Sequence, residues 1–122
     1  MIAHARDASP NECCGLLAGT DQLVDECIRT RNVKASPTEY LVDPADHFAA
    51  IRRLRNEGRG VVGAYHSHPR SEARPSPTDV SEAHYPEFIY LIVSLARPQQ
   101  PDVRAYAIRD GNFAPVLLVP LP

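Results

Sequence analysis

The stretch that decides the fold is His66-Ser67-His68-Pro69, followed after six residues by Ser76-Pro77-Thr78-Asp79. The apolar run of residues 61–65 before it predicts a β-strand, in which residues two apart point to the same face. His66 and His68 would then present their imidazoles side by side, and Pro69 would end the strand because it has no backbone N–H. Two imidazoles and the carboxylate of Asp79 make three protein ligands, the number found in catalytic zinc sites that keep one open position. The stretch therefore predicts zinc binding by His66, His68 and Asp79.

Ser76 and Asp79 also fit a simpler role at the start of a helix. Ser76 would be the N-cap, Pro77 the first helical residue, and Asp79 the acidic half of a capping box. This role does not call for two histidines on the preceding strand. It is compatible with metal binding, because a capped helix would fix the orientation of Asp79 toward a metal.

Together with residues 10–19, this stretch resembles the signature of the JAMM (MPN-plus, or JAB) zinc metalloprotease domain of the small prokaryotic type. That signature includes an upstream glutamate, and Glu12 stands at its place in Pro10-Asn11-Glu12-Cys13-Cys14-Gly15-Leu16-Leu17-Ala18-Gly19. The resemblance extends from Met1 to at least Leu95. It implies an α/β fold with a curved, mixed and largely antiparallel sheet flanked by helices, in a cytidine-deaminase-like arrangement. Without the resemblance, Glu12 would be an ordinary solvent-facing carboxylate at the entrance of a strand.

The resemblance also implies a reaction, the hydrolysis of an amide, peptide or isopeptide bond with one zinc ion per chain. Zinc lowers the pKa of a bound water to about 7. Glu12 would take the proton of this water and pass it to the leaving amine, and Ser76 would donate a hydrogen bond to the developing oxyanion. The small prokaryotic members suggest a substrate, the C-terminal Gly-Gly tail of a ubiquitin-like or sulfur-carrier protein joined to cysteine or lysine. The basic cluster from Arg52 to Arg59 is either a solvated helix face or a docking surface for that carrier.

Other functions compete with this one. A zinc deaminase of bases would carry His-x-Glu and Pro-Cys-x-x-Cys, and neither motif occurs in the sequence. A catalytically inactive MPN-minus scaffold would lack one of the five residues named above, and all five are present. A general zinc peptidase remains an alternative, as does a DNA-associated protein like the RadC-like proteins, which carry a similar His-x-His-Pro motif.

Composition bounds the class of protein. The 122 residues, 43% hydrophobic and 23% charged, predict a single soluble domain spanning residues 1–122. The formal net charge of −2 gives no electrostatic reason to expect nucleic acid as a partner. Cys13, Cys14 and Cys27 are an odd number, which predicts no disulfide framework and a cytoplasmic location, with Cys13 and Cys14 in the core. We expect no membrane span, because no apolar run approaches the ~20 residues that one requires.

The remaining elements follow from periodicity and turn residues. Strands are predicted over residues 12–18, 23–33, 39–42, 88–95, 103–109 and 113–119, and helices over 44–57 and 77–84. Phe48, Ile51 and Leu54 are predicted to form the buried stripe of the first of these helices. Residues 1–7 predict only the tail of a helix, so the N-terminal strand of JAMM domains is predicted to be missing. One sheet edge would then lie open, which predicts self-association or low stability.

Overall fold

A six-stranded sheet organises the chain, which the computed structural model describes over residues 1–21 and 23–120. In chain order the elements are α1 (Ile2–Ala8), β1 (Cys14–Thr20), β2 (Leu23–Thr30), α2 (Pro44–Asn56), β3 (Gly60–His68), α3 (Pro77–Ser81), β4 (Ile89–Ser94), β5 (Asp102–Arg109) and β6 (Asn112–Val116). The strand order across the sheet is β2-β1-β3-β4-β5-β6. Strands β3 and β4 are parallel, and the other neighbours are antiparallel. The predicted mixed, largely antiparallel sheet with helices is confirmed.

The centre of the sheet is buried on both faces. Strand β4 reads as a continuous apolar run, which is typical of a strand covered on both sides. One face packs around Tyr65 and is covered by Ala5 of α1. The other packs around Ile92 and is covered by Ala50 of α2. The two histidines of β3 alternate with Tyr65, so they lie on the α2 side of the sheet.

The parallel pairing of β3 with β4 requires a glycine at position 63. Gly63 is paired with Ile89, and a Cβ at this position would collide with the carbonyl group of Ile89. Because glycine has no Cβ, the two backbones can approach here. The same register continues to His68, which pairs with Ser94 at the other end of the ladder. The close approach at Gly63 therefore holds the strand that presents the histidines.

Two predicted boundaries are confirmed by their turn chemistry. Helix α2 begins after Asp43, whose carboxylate accepts hydrogen bonds from two N–H groups of the first turn at 2.8 and 3.2 Å. It ends at Asn56, and Gly58 follows with a φ of +70°. Asp110 and Gly111 join β5 to β6 with φ values of 52° and 76°. Positive φ at both residues is typical of a two-residue hairpin turn, one residue shorter than the connection of residues 110–112 between the two predicted strands.

Other predicted strand ends are wrong. Strand β1 starts at Cys14 and ends at Thr20, whereas the sequence predicts residues 12–18. Strands β2 and β6 end at Thr30 and Val116, each three residues before the predicted ends at 33 and 119. The register explains the end of β2. Thr30 pairs with Cys14, which is the first residue of β1, so β1 offers no partner to residues beyond Thr30.

Residues 39–42, predicted as a strand, contribute an isolated bridge between Asn32 and Val42 instead. The side chain of Asn32 explains the difference, since it binds the carbonyl of Glu39 and the N–H of Leu41. These are backbone groups that a partner strand would otherwise use. Helix α3 is also shorter than predicted, because it ends at Ser81 and not near residue 84.

The buried stripe of α2 differs from the predicted one at Phe48. This side chain is 70% exposed, whereas Ala50 and Leu54 are 5% and 0% exposed. At about 100° per residue, Phe48 lies about 200° around the helix from Ala50, so it points away from the sheet. Apolar character alone predicts that the larger residue, Phe48, is buried. Because the helix packs closely on the sheet, the smaller Ala50 is buried instead.

The edges of the sheet are β2 and β6. Strand β1 is not an edge, because it pairs with β2 on one side and β3 on the other. Self-association through an edge stays a prediction. Within the described residues, no helix has the length and apolar character needed to cross a membrane.

Candidate metal centre

Three side chains meet at the C-terminal end of β3. The Nε2 atoms of His66 and His68 lie 3.2 Å apart, and the Oδ2 atom of Asp79 lies 3.1 and 3.0 Å from them. All three residues are buried, with exposed fractions of 2%, 4% and 7%. The structure thus brings together the three side chains that the sequence predicts as metal ligands, in a group that could hold an ion.

The spacing of these three atoms fits a tetrahedral metal ion. Bonds of about 2.0–2.1 Å in tetrahedral directions place the ligand atoms about 3.3–3.4 Å apart. The observed separations of 3.0–3.2 Å are close to this value. Two imidazole nitrogens and one carboxylate oxygen are also a donor set that zinc takes up in proteins. The residues present therefore fit a metal bound by three protein ligands.

Contacts behind the ligand atoms orient both imidazoles. The Nδ1 atom of His68 lies 2.7 Å from the carbonyl oxygen of Glu72, so Nδ1 must donate; in the neutral ring, Nε2 would then carry the lone pair that binds a metal. The ring of Tyr40 stacks on that of His66, with 4.3 Å between the ring centroids and 18° between the planes. Burial lowers the pKa of His66, which favours the neutral imidazole that binds metals.

Helix α3 places Asp79. The Oγ atom of Ser76 accepts the N–H of Asp79 at 3.0 Å, and the N–H of Ser76 donates to Oδ2 of Asp79 at 2.9 Å. The predicted capping box is therefore confirmed, and it uses the same carboxylate oxygen that faces the histidines. Burial acts to raise the pKa of Asp79, but hydrogen bonds from His66 and His68 outweigh it and hold this pKa well below its usual range. Asp79 is thus an ionised, oriented ligand at neutral pH.

The hydroxyl of Ser76 has a hydrogen that it can still donate. In the capping box its oxygen acts as an acceptor, so the hydroxyl hydrogen is not used by that bond. Ser76 is half-buried, next in the capping box to a ligand of the metal group. It can therefore donate a hydrogen bond to a molecule bound beside Asp79.

Strand register brings Glu12 next to the group of three. Cys14 pairs with His66 across β1 and β3. One residue further, the N–H of Ser67 donates to the carbonyl of Cys13 at 3.1 Å, and the N–H of Cys13 donates to Oγ of Ser67 at 2.8 Å. Continuing this register places Glu12 opposite His68. Glu12 is nevertheless not a member of the group of three, whose ligand atoms all lie within 4.8 Å of one another.

The carboxyl of Glu12 has the properties of a proton-transfer group. It is 4% exposed, and its Oε1 atom has no hydrogen-bond partner within the described part of the chain. Burial raises the pKa of Glu12 to about 8, against the opposing effect of His68. A carboxyl with a pKa near neutrality suits general acid–base catalysis. An unpartnered buried oxygen also fits a site that is completed by water or substrate.

Sequence reasoning misses three residues that support the site. Ser67 is fully buried and bonds the backbone next to Glu12; its position between the two histidines could have identified it. Asn32 and Tyr40 lie in stretches predicted as strands, and no sequence signal connects them to His66. His84 has a 72% exposed side chain and lies outside the group.

The cysteines match the predicted structural role. Cys13 and Cys14 are buried, and burial raises the pKa of both thiols, which disfavours the reactive thiolate. Both of these residues and Cys27 are free thiols. The prediction of core residues is confirmed for Cys13 and Cys14.

The basic cluster between residues 52 and 59 is partly neutralised. Arg53 pairs with Glu26 at 2.7 Å, and Arg59 pairs with Glu26 at 3.1 Å and with Glu57 at 2.7 Å. Arg59 also pairs with Asp25. These ion pairs favour the solvated-face interpretation of the cluster over the docking-surface interpretation.

Comparison with known sequences agrees with this geometry. Residues 1–109 match the family described as prokaryotic homologs of the JAB domain, and the chain belongs to this family. The CysO-cysteine peptidase of Mycobacterium tuberculosis is 38% identical over 113 residues, which cover 91% of this chain and 77% of the relative. A probable TtuB-protein conjugate cleaving protease of Thermus thermophilus is 42% identical over 111 residues, 90% of this chain and 70% of the relative.

Solved structures agree in fold. A solution structure of a protein from Desulfitobacterium hafniense matches with a TM-score of 0.89 and 37% identity, covering 98% of this chain and 84% of that one. A structure described as JAMM, a metalloprotease-like zinc site in the proteasome and signalosome, matches with a TM-score of 0.53 and 25% identity, covering 93% and 82%. The predicted JAMM family and fold are confirmed.

Proposed function

We propose that this chain is a zinc-dependent hydrolase that acts at the C-terminal Gly-Gly tail of a ubiquitin-like or sulfur-carrier protein and releases cysteine or lysine adducts. The observation that carries the proposal is the convergence of His66, His68 and Asp79 beside the buried carboxyl of Glu12. The names of the relatives support the substrate class, since one is named a CysO-cysteine peptidase and another a probable TtuB-protein conjugate cleaving protease. The JAMM zinc site of the structural neighbour supports zinc as the metal, one ion per chain.

In this proposal His66, His68 and Asp79 hold the ion, which when bound supplies Lewis-acid activation of water at neutral pH. Glu12 takes a proton from the attacking water at its buried carboxyl and returns it to the leaving amine. The C–N bond breaks, and the carrier leaves with a free carboxylate on its terminal glycine. In the metal-free protein, burial raises the pKa of Glu12 to about 8, which supports a role of this carboxyl in proton transfer.

Ser76 is proposed to act on the scissile carbonyl. Its hydroxyl hydrogen is not used in the capping box, so it can donate to the carbonyl oxygen as negative charge develops there. The backbone N–H of Ser76 is not available for this role, since it donates to Asp79. One residue thus orients a metal ligand through its backbone and contacts the substrate through its side chain.

The geometry of the sheet suits an extended tail as substrate. Strand β2 is an edge strand, and its last residue, Thr30, lies beside Cys14, which in turn lies beside His66. A tail that adds along β2 by main-chain hydrogen bonds would therefore run toward the metal group. Glycines at its end would let its backbone approach the ligands closely. Because ion pairs already engage Arg53 and Arg59, the proposal depends on the tail and not on a basic docking surface.

We also propose a cytoplasmic location for the reaction. Cys13, Cys14 and Cys27 are all free thiols, as a reducing compartment would keep them. Sulfur-carrier conjugates of cysteine would also be met there as soluble substrates.

The test is mass spectrometry of carrier–cysteine and carrier–lysine adducts incubated with the enzyme, alongside diubiquitin and unrelated peptides. We expect release of an intact Gly-Gly-ended carrier that stops with a chelator and resumes when zinc is added. Glu12→Gln should abolish turnover and leave zinc content unchanged, because an amide cannot take the proton. The matched control Glu87→Gln changes an exposed glutamate and should cleave normally. Cleavage of unrelated peptides with both adducts untouched would instead identify a general zinc peptidase.

A further inference from the structure

The segment of residues 31–43 joins β2 to α2 and is tied together by one side chain near its start, Asn32. The Nδ2 group of Asn32 donates to two backbone carbonyls at 3.1 Å each, and its Oδ1 atom accepts two backbone N–H groups at 3.1 and 3.0 Å. An amide side chain has two N–H donors and two acceptor positions, so all four are used. The partners are the carbonyls of Glu12 and Glu39 and the N–H groups of Lys34 and Leu41.

Two of these bonds lie on either side of Tyr40. The carbonyl of Glu39 belongs to the peptide bond before Tyr40, and the N–H of Leu41 belongs to the one after it. Asn32 therefore fixes both peptide groups around this residue. The ring of Tyr40 in turn stacks on the buried imidazole of His66, so its position bears directly on a ligand of the metal group.

The same segment holds the backbone of Glu12. Its carbonyl accepts from Asn32 at 3.1 Å, and its N–H donates to the carbonyl of Ser36 at 2.8 Å. Because Glu12 precedes β1, neither backbone group belongs to the sheet ladder. Buried backbone groups require partners, and this segment supplies them. The place of the Glu12 carboxyl beside His68 thus depends on Asn32 and Ser36 of this segment.

We propose that Asn32 is a positioning residue, which holds Glu12 and Tyr40 through a single side-chain amide and so couples the proton-transfer carboxyl to the orientation of His66. Asn32 acts through these residues, because the four hydrogen bonds of its side chain go to backbone groups and not to the metal ligands. Residues behind the ligands of metal sites typically contribute about 10–100-fold to metal affinity or activity. The inference rests on the proposed function for its effect on turnover, whereas its effects on metal retention and backbone protection are independent of the substrate.

The test replaces Asn32 by Asp. Asn32→Asp keeps the size of the side chain and an acceptor oxygen, but it removes the two donors that the carbonyls of Glu12 and Glu39 require. The matched control is Asn112→Asp. Asn112 also donates to a backbone carbonyl, that of Asp110, at 3.2 Å. Asn112 pairs with Arg109 at one end of β5. Asp102, at the other end of β5, pairs with Ser94, which in turn pairs with His68. The control residue therefore lies at the opposite end of β5 from the metal group.

Three measurements read out the proposed role at temperatures where circular dichroism shows each variant folded. In Asn32→Asp we expect zinc loss to a competing chelator at about tenfold lower chelator concentration, and a fall in kcat of about 10–100-fold with little change in KM. We also expect faster hydrogen exchange at the backbone amides of Glu12 and Leu41. Asn112→Asp should match the protein without substitutions in zinc retention, kcat and hydrogen exchange.

A second variant keeps the proposal testable if Asn32→Asp does not fold. Tyr40→Leu leaves the backbone partners of Asn32 in place and removes only the ring that stacks on His66. It should weaken zinc retention while the exchange rate at Glu12 stays unchanged. Unchanged zinc retention in Tyr40→Leu, or unchanged exchange, retention and kcat in a folded Asn32→Asp, would overturn the proposal. If even the unchanged protein leaves carrier adducts intact, the proposed function fails, while zinc retention and exchange still decide the role of Asn32.

Discussion

Replacing Ser76 by alanine separates its two roles, as a helix cap and as a hydrogen-bond donor to substrate. The change removes the bond from Oγ to the N–H of Asp79 at 3.0 Å, but it leaves the bond from the N–H of Ser76 to Oδ2 of Asp79 at 2.9 Å. The metal ligand therefore keeps a backbone partner. Loss of an N-cap typically costs about 1 kcal/mol. With an unfolding entropy of about 2.1 cal/mol/K per residue, 122 residues give about 0.26 kcal/mol/K, so Tm should fall by about 4 °C.

The catalytic effect should be larger than the effect on stability. Removal of one oxyanion donor typically lowers kcat by about 100-fold or more, equivalent to about 2.7 kcal/mol of transition-state stabilisation. The assay combines thermal unfolding, zinc content and single-turnover cleavage of a carrier adduct. Asp43→Ala is the matched control, because Asp43 caps α2 through hydrogen bonds of 2.8 and 3.2 Å. It should show a similar fall in Tm with normal kcat. Normal kcat in Ser76→Ala, or an equal loss in Asp43→Ala, would refute the donor role.

The other predictions concern the metal, the sheet and pH. Purified protein should contain about one zinc per chain by elemental analysis, and tight zinc binding by a His66→Ala/His68→Ala variant would contradict the ligand assignment. Gly63→Ala should lower stability by about 1–3 kcal/mol because the new Cβ meets the backbone of β4. Gly60→Ala, where a Cβ meets nothing within 4 Å, should melt normally, and equal Tm values for the two variants would contradict the packing argument. In metal-free protein, burial raises the pKa of Glu12 from 4.5 to about 8. The contribution of Glu12 to the free energy of unfolding is therefore fully present below pH 4.5 and is lost as the pH rises through about 8. Against Glu12→Gln, the Tm of the metal-free protein should fall over this range, and a constant difference would show that Glu12 does not titrate there.

The metal group could be predicted from sequence because each of its parts depends on local structure. Strand alternation places His66 and His68 on one face, and the helix start at Ser76 orients Asp79. All of these residues lie on consecutive elements, β3 and α3, so no long-range pairing had to be known. Glu12 is different, because its position depends on the register between β1 and β3, and the sequence places it only through resemblance to a family.

The supporting contacts could not be predicted for a related reason. Asn32 acts through side-chain bonds to backbone groups, and such bonds replace the strand predicted over residues 39–42. The stacking of Tyr40 on His66 joins residues that are distant in sequence. Apolar spacing predicts Phe48 in the core, yet the buried face of α2 carries the small residue Ala50. In each case tertiary packing decides between local patterns of similar strength.

The helix cap at Asp79 has a consequence for how a metal enters the protein. The capping box holds the carboxylate through Ser76, and the carbonyl of Glu72 holds the ring of His68, by bonds that do not involve an ion. The side-chain entropy of these ligands is therefore lost when the chain folds and not when a metal arrives. In zinc fingers, by contrast, metal binding and folding are one event. This site is preorganised, so we expect tight metal binding by a chain that stays folded when the metal is removed.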